Sequence, residues 1–432
     1  MSDITPNEPY EYDPLAPAPV EQRTFSMRDA FSLWFSLGIG LLVLQAGAGL
    51  IPGLSFGWAL AAIVTGSIIG AVLLALAGVI GADTGLGAIA ALRPTLGVRG
   101  AAVPALLNVV QLVGWGTFEI IAMRDAAGAL TRNAWHFDAP VVWTFVFGAA
   151  ATGLAILGPL SFVRRILRRG GIWLVLIGAA WLSWILLSRH DLMQVVAQAG
   201  NGTLSFGAGV DIVAAMPLSW LPLIADYSRF GTSARAMFRG STAGYVLANI
   251  WFYALGAAYA LAARTDPDGL LLSALATAGG GIALLCILID ETDNIFADIF
   301  SAAMSTGTLL RVRVPHLVIA FGVLCTLLAL VLPMTRFLSF LYAIGSVFAP
   351  LYGVLLADHF IVRRRQIVLA DIDRIDGAYG FEMGAHMTAF AAWFTGVVAY
   401  YLIVQFVPAL GATLPALAVA AAVYLGLKRF GF

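Results

Sequence analysis

The stretch VDIVAAMPLSWLPLIADY, residues 210–227, decides the fold. It is apolar enough to enter a bilayer, yet it carries Pro217 and Pro222. Each proline removes an amide donor and frees a carbonyl one turn earlier. A freed backbone group at membrane depth has to face protein, water or a ligand. A second stretch, LWFSLGIGLLVLQAGAGL at 33–50, has Gly38 and Gly40 near its middle. Glycine there weakens a helix and lets carbonyls turn away from the helical ladder. Along the chain these are the first and sixth apolar segments, the opening helices of two five-helix halves. Paired broken helices in corresponding positions point to a transport site between inverted repeats.

Composition agrees. Of 432 residues, 60% are hydrophobic and only 11% charged, with zero formal net charge. Soluble domains average about 25% charged residues, so a soluble enzyme or a nucleic-acid binder is excluded. With roughly 20 apolar residues per span, the chain predicts an all-α integral membrane protein of about twelve transmembrane helices. They fall near 29–50, 57–80, 103–124, 139–158, 171–188, 208–226, 241–262, 281–302, 315–332, 336–357, 388–407 and 412–428. Residues 1–26 are polar and proline-rich and read as a disordered cytoplasmic tail. With both termini cytoplasmic, 19 of the 24 Lys and Arg fall on the inside, as the positive-inside rule requires. A bacterial-type inner membrane is expected. Cys286 and Cys325 lie in apolar runs and the five histidines fall at or near loops, so no disulfide framework, metal cluster or cofactor is expected.

Two helices carry expensive charge. Span 8, GIALLCILIDETDNIFADIFSAAM at 281–304, holds Asp290, Glu291, Asp293 and Asp298 with no base near in sequence. At about 2.5–3.5 kcal/mol per central charge, four would cost about 10 kcal/mol or more unless they face a cavity, bind a cation or take up protons. Asp290, Asn294 and Asp298 form one helical stripe with Glu291 beside it. Span 3, PALLNVVQLVGWGTFEIIAM at 104–123, places Gln111, Trp115 and Glu119 on one face, with Gly114 and Gly116 flanking the ring. A flat ring one turn from a carboxylate suits a planar heterocycle.

These residues resemble the nucleobase–cation symport family. The resemblance covers nearly the whole chain. It is strongest in TGLGAIAALRPTLGVRGAAVPALLNVVQLVGW (84–115), ADYSRF (225–230) and TDNIFADIFSAA (292–303). AMPLSWLPLIADYSRF and ETDNIFAD look most like the hydroxymethylpyrimidine (CytX-like) branch, which imports a thiamine precursor. The resemblance implies a LeuT-like core of five-plus-five inverted repeats, at 27–190 and 205–358, plus two extra helices at 386–432. It also implies alternating access driven by a cation gradient, sodium first and proton as the alternative, in a monomer surrounded by lipid. Trp115 would stack on the substrate, and Glu119 and Asp298 would stand where the family has amides, with Gln111 and Gly40 beside them. Gly38, Leu41 and Ile289 carbonyls with Thr292 and Asp293 would hold the cation. Asp290, Glu291 and Asn294 are expected at a gate or vestibule. Met216 and Pro217 occupy the position of a second aromatic wall, with Trp220 the other candidate.

An ionised carboxylate only accepts hydrogen bonds. Glu119 and Asp298 therefore favour a ring with an exocyclic amine: hydroxymethylpyrimidine, with cytosine as runner-up. An amino-acid transporter of the same fold is the rival. An enzyme is not expected, since no intramembrane protease or metal motif is present.

Overall fold

The computed structural model describes residues 15–158, 170, 172–189, 197–263, 281–310 and 312–430. Within its helices a few side chains, those of Asp290 and Asp293 among them, lie outside this description. The regular structure among the described residues is helical, with no strand beyond an isolated bridge between Phe25 and Gly231.

The expected breaks are both present. Span 1 is α1 (Met27–Ser36) and α2 (Leu41–Ala48), bent by 60° across Gly38 and Gly40. After α3 (Phe56–Thr84), the short α4 (Arg93–Leu96), α5 (Ala102–Trp135), α6 (Pro140–Leu157) and α7 (Ile172–Arg189), span 6 is α8 (Phe206–Ser219) and α9 (Ile224–Ser228). Next come α10 (Ala234–Ala263), α11 (Gly281–Asp290) and α12 (Thr292–Gly307), so span 8 also breaks, at Glu291. The chain ends with α13 (Val314–Ala329), α14 (Phe337–Leu356), α15 (Met387–Phe406) and α16 (Thr413–Arg429). Among the described residues six helices are long and apolar enough to cross a membrane, or seven with the bent pair α1–α2. The count of about twelve is met only in part. The five other expected segments, 171–188, 208–226, 281–302, 315–332 and 412–428, are helical here, but none of them is among the helices long and apolar enough to count as a single span. Exposed apolar side chains, such as Trp173, Ile177 and Trp184 on α7 and Phe394 and Leu402 on α15, form lipid-facing surface.

Small residues set the packing. On α3, a Cβ at Gly66 would lie 2.7 Å from the Val210 carbonyl, and one at Gly70 would run into the Pro217 ring, so α8 lies directly on α3. Further along α3, Gly78 and Gly81 take Ile224 and Ser228 of α9 in the same way, at 2.8 and 2.5 Å. The other half mirrors this. Gly240 and Gly244 of α10 meet the Met27 and Phe31 carbonyls of α1, and Gly256 meets the Leu44 carbonyl of α2. Close backbone approach of this kind is how helices associate where no hydrophobic effect drives them together.

The N-terminal expectation needs a correction. Residues 1–14 lie outside the described ones, but 15–26 are packed on the bundle. Phe25 is buried against Phe230, and Arg23 donates to the Ala18 and Thr84 carbonyls, the latter at the end of α3. Ser26 and Asp29 then form a capping box that starts α1.

One end of the bundle is tied by paired charge. Asp358, in a π turn that continues α14, accepts from Thr95 Oγ1, Arg363 Nε and Tyr424 OH, each at 2.7 Å. Asp83 at the end of α3 takes both Nε and Nη2 of Arg365, at 2.8 and 2.6 Å, and lies 3.2 Å from His359 Nε2. Arg93 pairs with Asp373 at 2.6 Å. These bonds join α3, the α4 loop, the 358–373 segment and α16.

Candidate functional site

The site grows from the break in span 6. Residues 220–223 are not helical, so the Ser219 and Pro222 carbonyls lack helical partners. Two amides of α5, three residues apart, supply them. Gln111 Nε2 donates to Ser219 O at 2.9 Å, and Asn108 Nδ2 donates to Pro222 O at 3.2 Å and to Ser305 Oγ at 2.8 Å. Gln111 was expected against the substrate; here it holds the break instead, because a buried bare carbonyl is the costlier state. Asn108 was not singled out. Its signal was a second buried amide one turn before Gln111.

Trp115, Ser219, Trp220, Leu223 and Asp298 line one closed-down pocket with no room for a water molecule in this conformation. Phe337 and Phe340 of α14 hold the Trp115 ring edge-on, both at 5.6 Å. The Phe340 ring occupies the space beside Gly114. Gly116 lets α5 approach α12 and α13: a Cβ there would sit 3.2 Å from Cys325 Sγ and 3.7 Å from Asp298 Cβ. Trp220 meets Trp34 edge-on at 6.1 Å. Trp115 Nε1 and both Asp298 carboxyl oxygens are buried with no hydrogen-bond partner. Asp298 is 1% exposed. Such groups are costly unless a ligand satisfies them.

Trp220, not Met216 or Pro217, is the second aromatic of this cavity. Helix α8 ends at Ser219, and the turn that follows swings Trp220 inward. Pro217 points the other way, onto Gly70 of α3, and Met216 is buried with its carbonyl accepting from Ser219 Oγ.

The break in span 1 makes a second locus. Glu291 was expected at a vestibule, but it is fully buried, in the turn between α11 and α12. Its Oε2 accepts from Leu41 N, the first amide of α2, at 3.0 Å. Gly40 leaves room for it, since a Cβ there would lie 3.0 and 3.1 Å from the two carboxylate oxygens. Asn294, also expected at a vestibule, is buried and donates from Nδ2 to Ile39 O at 3.4 Å. Glu119 turns to this locus and faces the Glu291 carboxyl. Glu119 therefore does not line the cavity.

Among the described residues the expected cation ligands come together only in part. Thr292 Oγ1 donates to its own Ile289 carbonyl at 2.7 Å, and the Ile289 side chain is exposed. Gly38 packs against Ala248, while Leu41 contributes its amide, not its carbonyl, to the Glu291 contact. The break at Glu291 sets the rotation of α12 and presents Glu291 and Asn294 to span 1. The side chains of Asp290 and Asp293 lie outside the described residues. Among the described residues no group of His, Cys, Asp and Glu is arranged to hold a metal.

A larger cavity, about 490 Å³, lies between α8, α14 and α15 and is lined by Asp211, Tyr342, Tyr400 and Tyr401. Its carboxylate is already used: Asp211 accepts from Ala412 N, Thr413 N and Thr413 Oγ1, capping α16. Size therefore does not select the site; the buried groups without partners do.

Broken spans 1, 6 and 8 around a buried aromatic and acidic site are the arrangement of a multi-pass membrane transporter. A sequence profile described as "Permease for cytosine/purines, uracil, thiamine, allantoin" matches residues 17–425, and the chain belongs to that family. It is 26% identical to the allantoin permease of Bacillus subtilis (strain 168), over 92% of this chain and 87% of that protein. It is 26% identical to the cytosine permease of Escherichia coli (strain K12), over 74% of each. In structure it is similar to Mhp1, a nucleobase-cation-symport-1 family transporter, in a closed conformation with bromovinylhydantoin bound. That likeness has TM-score 0.85 and 20% identity, over 97% of this chain and 95% of that one. Against the inward-facing conformation of Mhp1 the TM-score is 0.78. The LeuT-like fold is thereby shown.

Proposed function

We propose that this protein imports an amine-bearing pyrimidine, hydroxymethylpyrimidine foremost, by cation symport and alternating access. The observation that carries the reading is the meeting of Trp115, Trp220 and Asp298 around one closed-down pocket, with Trp115 Nε1 and both Asp298 oxygens lacking partners. Two indoles supply faces and edges for a flat ring. Asp298 supplies two acceptors and no donor when ionised. Uracil and hydantoin present carbonyls that need donors, whereas a 4-aminopyrimidine presents an amine that needs an acceptor. Cytosine is the second reading, favoured by the same amine and by the likeness to a cytosine permease. The 19 of 24 basic residues on one side of the predicted spans support cytoplasmic termini in a bacterial-type inner membrane. We take the working unit to be a monomer in lipid.

Uptake of labelled hydroxymethylpyrimidine and of cytosine into cells or proteoliposomes tests the reading, with uracil, hydantoin and amino acids as competitors. Saturable uptake competed by aminopyrimidines is expected. Uptake of neither pyrimidine, or competition by amino acids instead, overturns it.

A further inference from the structure

The larger cavity shares a wall with the Trp115 pocket, and that wall is α14. Phe337 and Phe340 hold the Trp115 ring, both at 5.6 Å. Ser339 and Ala343 of the same helix line the cavity of about 490 Å³. At about 100° per residue the two pairs point to opposite sides of α14. Across the cavity stand Ala208 and Ile212 of α8, and Tyr401 and Val404 of α15 form its rim. Tyr401 is 57% exposed and Val404 48%, beside the lipid-facing Leu402. Both α14 and α15 are long and apolar enough to cross a membrane, so the cavity opens sideways at bilayer depth. Water is a poor occupant, because a buried water needs about two to four polar partners. The lining is mostly apolar, and Asp211 spends both carboxylate oxygens on Ala412 N, Thr413 N and Thr413 Oγ1. Tyr401 OH already lies 3.2 Å from Ser346 Oγ. Empty space would forfeit the contacts of the lining. The bilayer supplies an apolar chain at the same depth, and the volume lies in the ordinary range of a ligand pocket, about 300–1,000 Å³. An independent observation points to the head of that chain. Arg336 is exposed, makes no ion pair among the described residues, and stands one turn before Ser339 at the start of α14. A guanidinium there suits a phosphate.

We propose that a phospholipid lodges one acyl chain in the cavity between α8, α14 and α15, with its phosphate on Arg336, and that this chain holds α14 against Trp115. With the chain in place, α14 has lipid behind it and Phe337 and Phe340 are kept on the indole. Without it, α14 is free to sink into the gap, and the two phenylalanines withdraw from the ring that closes the pocket. The lipid is thus a wedge behind the helix that braces the pocket. The lipid site itself stands apart from the import reading; its effect on pyrimidine binding rests on that reading.

The probe is dioleoylphosphatidylglycerol with a photoreactive group on one acyl chain, in nanodiscs holding the purified full chain. Labelling is expected on α8 at Ala208 and Ile212. Ala343→Trp, which fills the cavity, should remove the α8 label and leave the label on lipid-facing α7 around Trp173. Ala208→Phe, from the opposite wall, serves the same purpose if Ala343→Trp does not fold. No α8 label in the unaltered protein, or an equal α8 label in the filled variant, overturns the site. Arg336→Gln should weaken the α8 label with that of α7 held, and an unchanged α8 label overturns the phosphate contact. In detergent, adding the same lipid should tighten binding of cytosine or hydroxymethylpyrimidine about fivefold or more, the usual span of coupling between two sites, and should do nothing in Ala343→Trp. An α8 label with pyrimidine binding indifferent to the lipid overturns the wedge. An α8 label with neither pyrimidine bound or taken up supports the lipid site and overturns the import reading.

Discussion

Carboxylates occupy two regions of this molecule under opposite conditions. At the end of the bundle, Asp83, Asp358 and Asp373 each meet an arginine, and Asp358 adds two hydroxyl donors. At the centre, Asp298 has no hydrogen-bond partner, and Glu291 meets a backbone amide, an asparagine and another carboxyl. Buried charge is tolerated when it is paired and fully bonded. The first region meets that condition within the fold, and its carboxylates join helices. The second does not, and the missing partner has to come from outside the chain.

The sharpest way to break this contrast is to truncate at the centre. Asp298→Ala should reduce pyrimidine uptake to background, because hydrogen bonds to a charged group are worth about 1.5–3 kcal/mol each. Trp115→Ala should raise KM roughly tenfold or more, at about 1–3 kcal/mol per stacked base. Normal uptake by Asp298→Ala would place this carboxylate with the structural ones. Neither variant should move the thermal midpoint as far as Asp358→Ala does. Breaking a buried, hydrogen-bonded ion pair costs about 3–5 kcal/mol, read as an earlier fluorescence melt in detergent, with KM of the folded fraction held. A smaller effect is expected from Gln111→Leu. It strands the Ser219 carbonyl at about 1–3 kcal/mol, and should lower the thermal midpoint without changing which pyrimidines compete.

The smallest effect concerns His386. Its Nδ1 donates to the Thr95 carbonyl at 2.8 Å, and burial holds its pKa below the ordinary 6.5. Between 6.5 and the folded value, the unfolded chain binds the proton more readily. Stability is therefore full above pH 6.5 and falls as the pH drops below it. His386→Gln should flatten that acid-side slope in melts taken between about pH 5 and 7. An unchanged slope would remove His386 from the paired end of the comparison.

The breaks at Gly38, Gly40, Pro217 and Pro222 were legible because glycine and proline act on the backbone directly. Trp115 and Asp298 were legible because an aromatic between glycines and a charge in an apolar helix are both conspicuous. The rotation of α12 was not. It is fixed by the turn at Glu291, and each residue of helix turns the face by 100°, so Thr292 and Glu291 exchange places on a one-residue difference. The partner of Gln111 was equally hidden, because no local pattern says which amide will meet a carbonyl freed a hundred residues away. Residues 15–26 read as tail because their anchors, Thr84 and Phe230, are distant in sequence.

The glycines of α3 limit how the cavity can open. Gly66 and Gly70 seat one half of the broken sixth span, and Gly78 and Gly81 seat the other. A single unbroken rod thus splints both sides of the fracture, as α10 does for the first span through Gly240, Gly244 and Gly256. Bending at either fracture alone would tear these seams. The cheaper movement carries each fractured span together with its splint, as one block sliding against the rest of the protein.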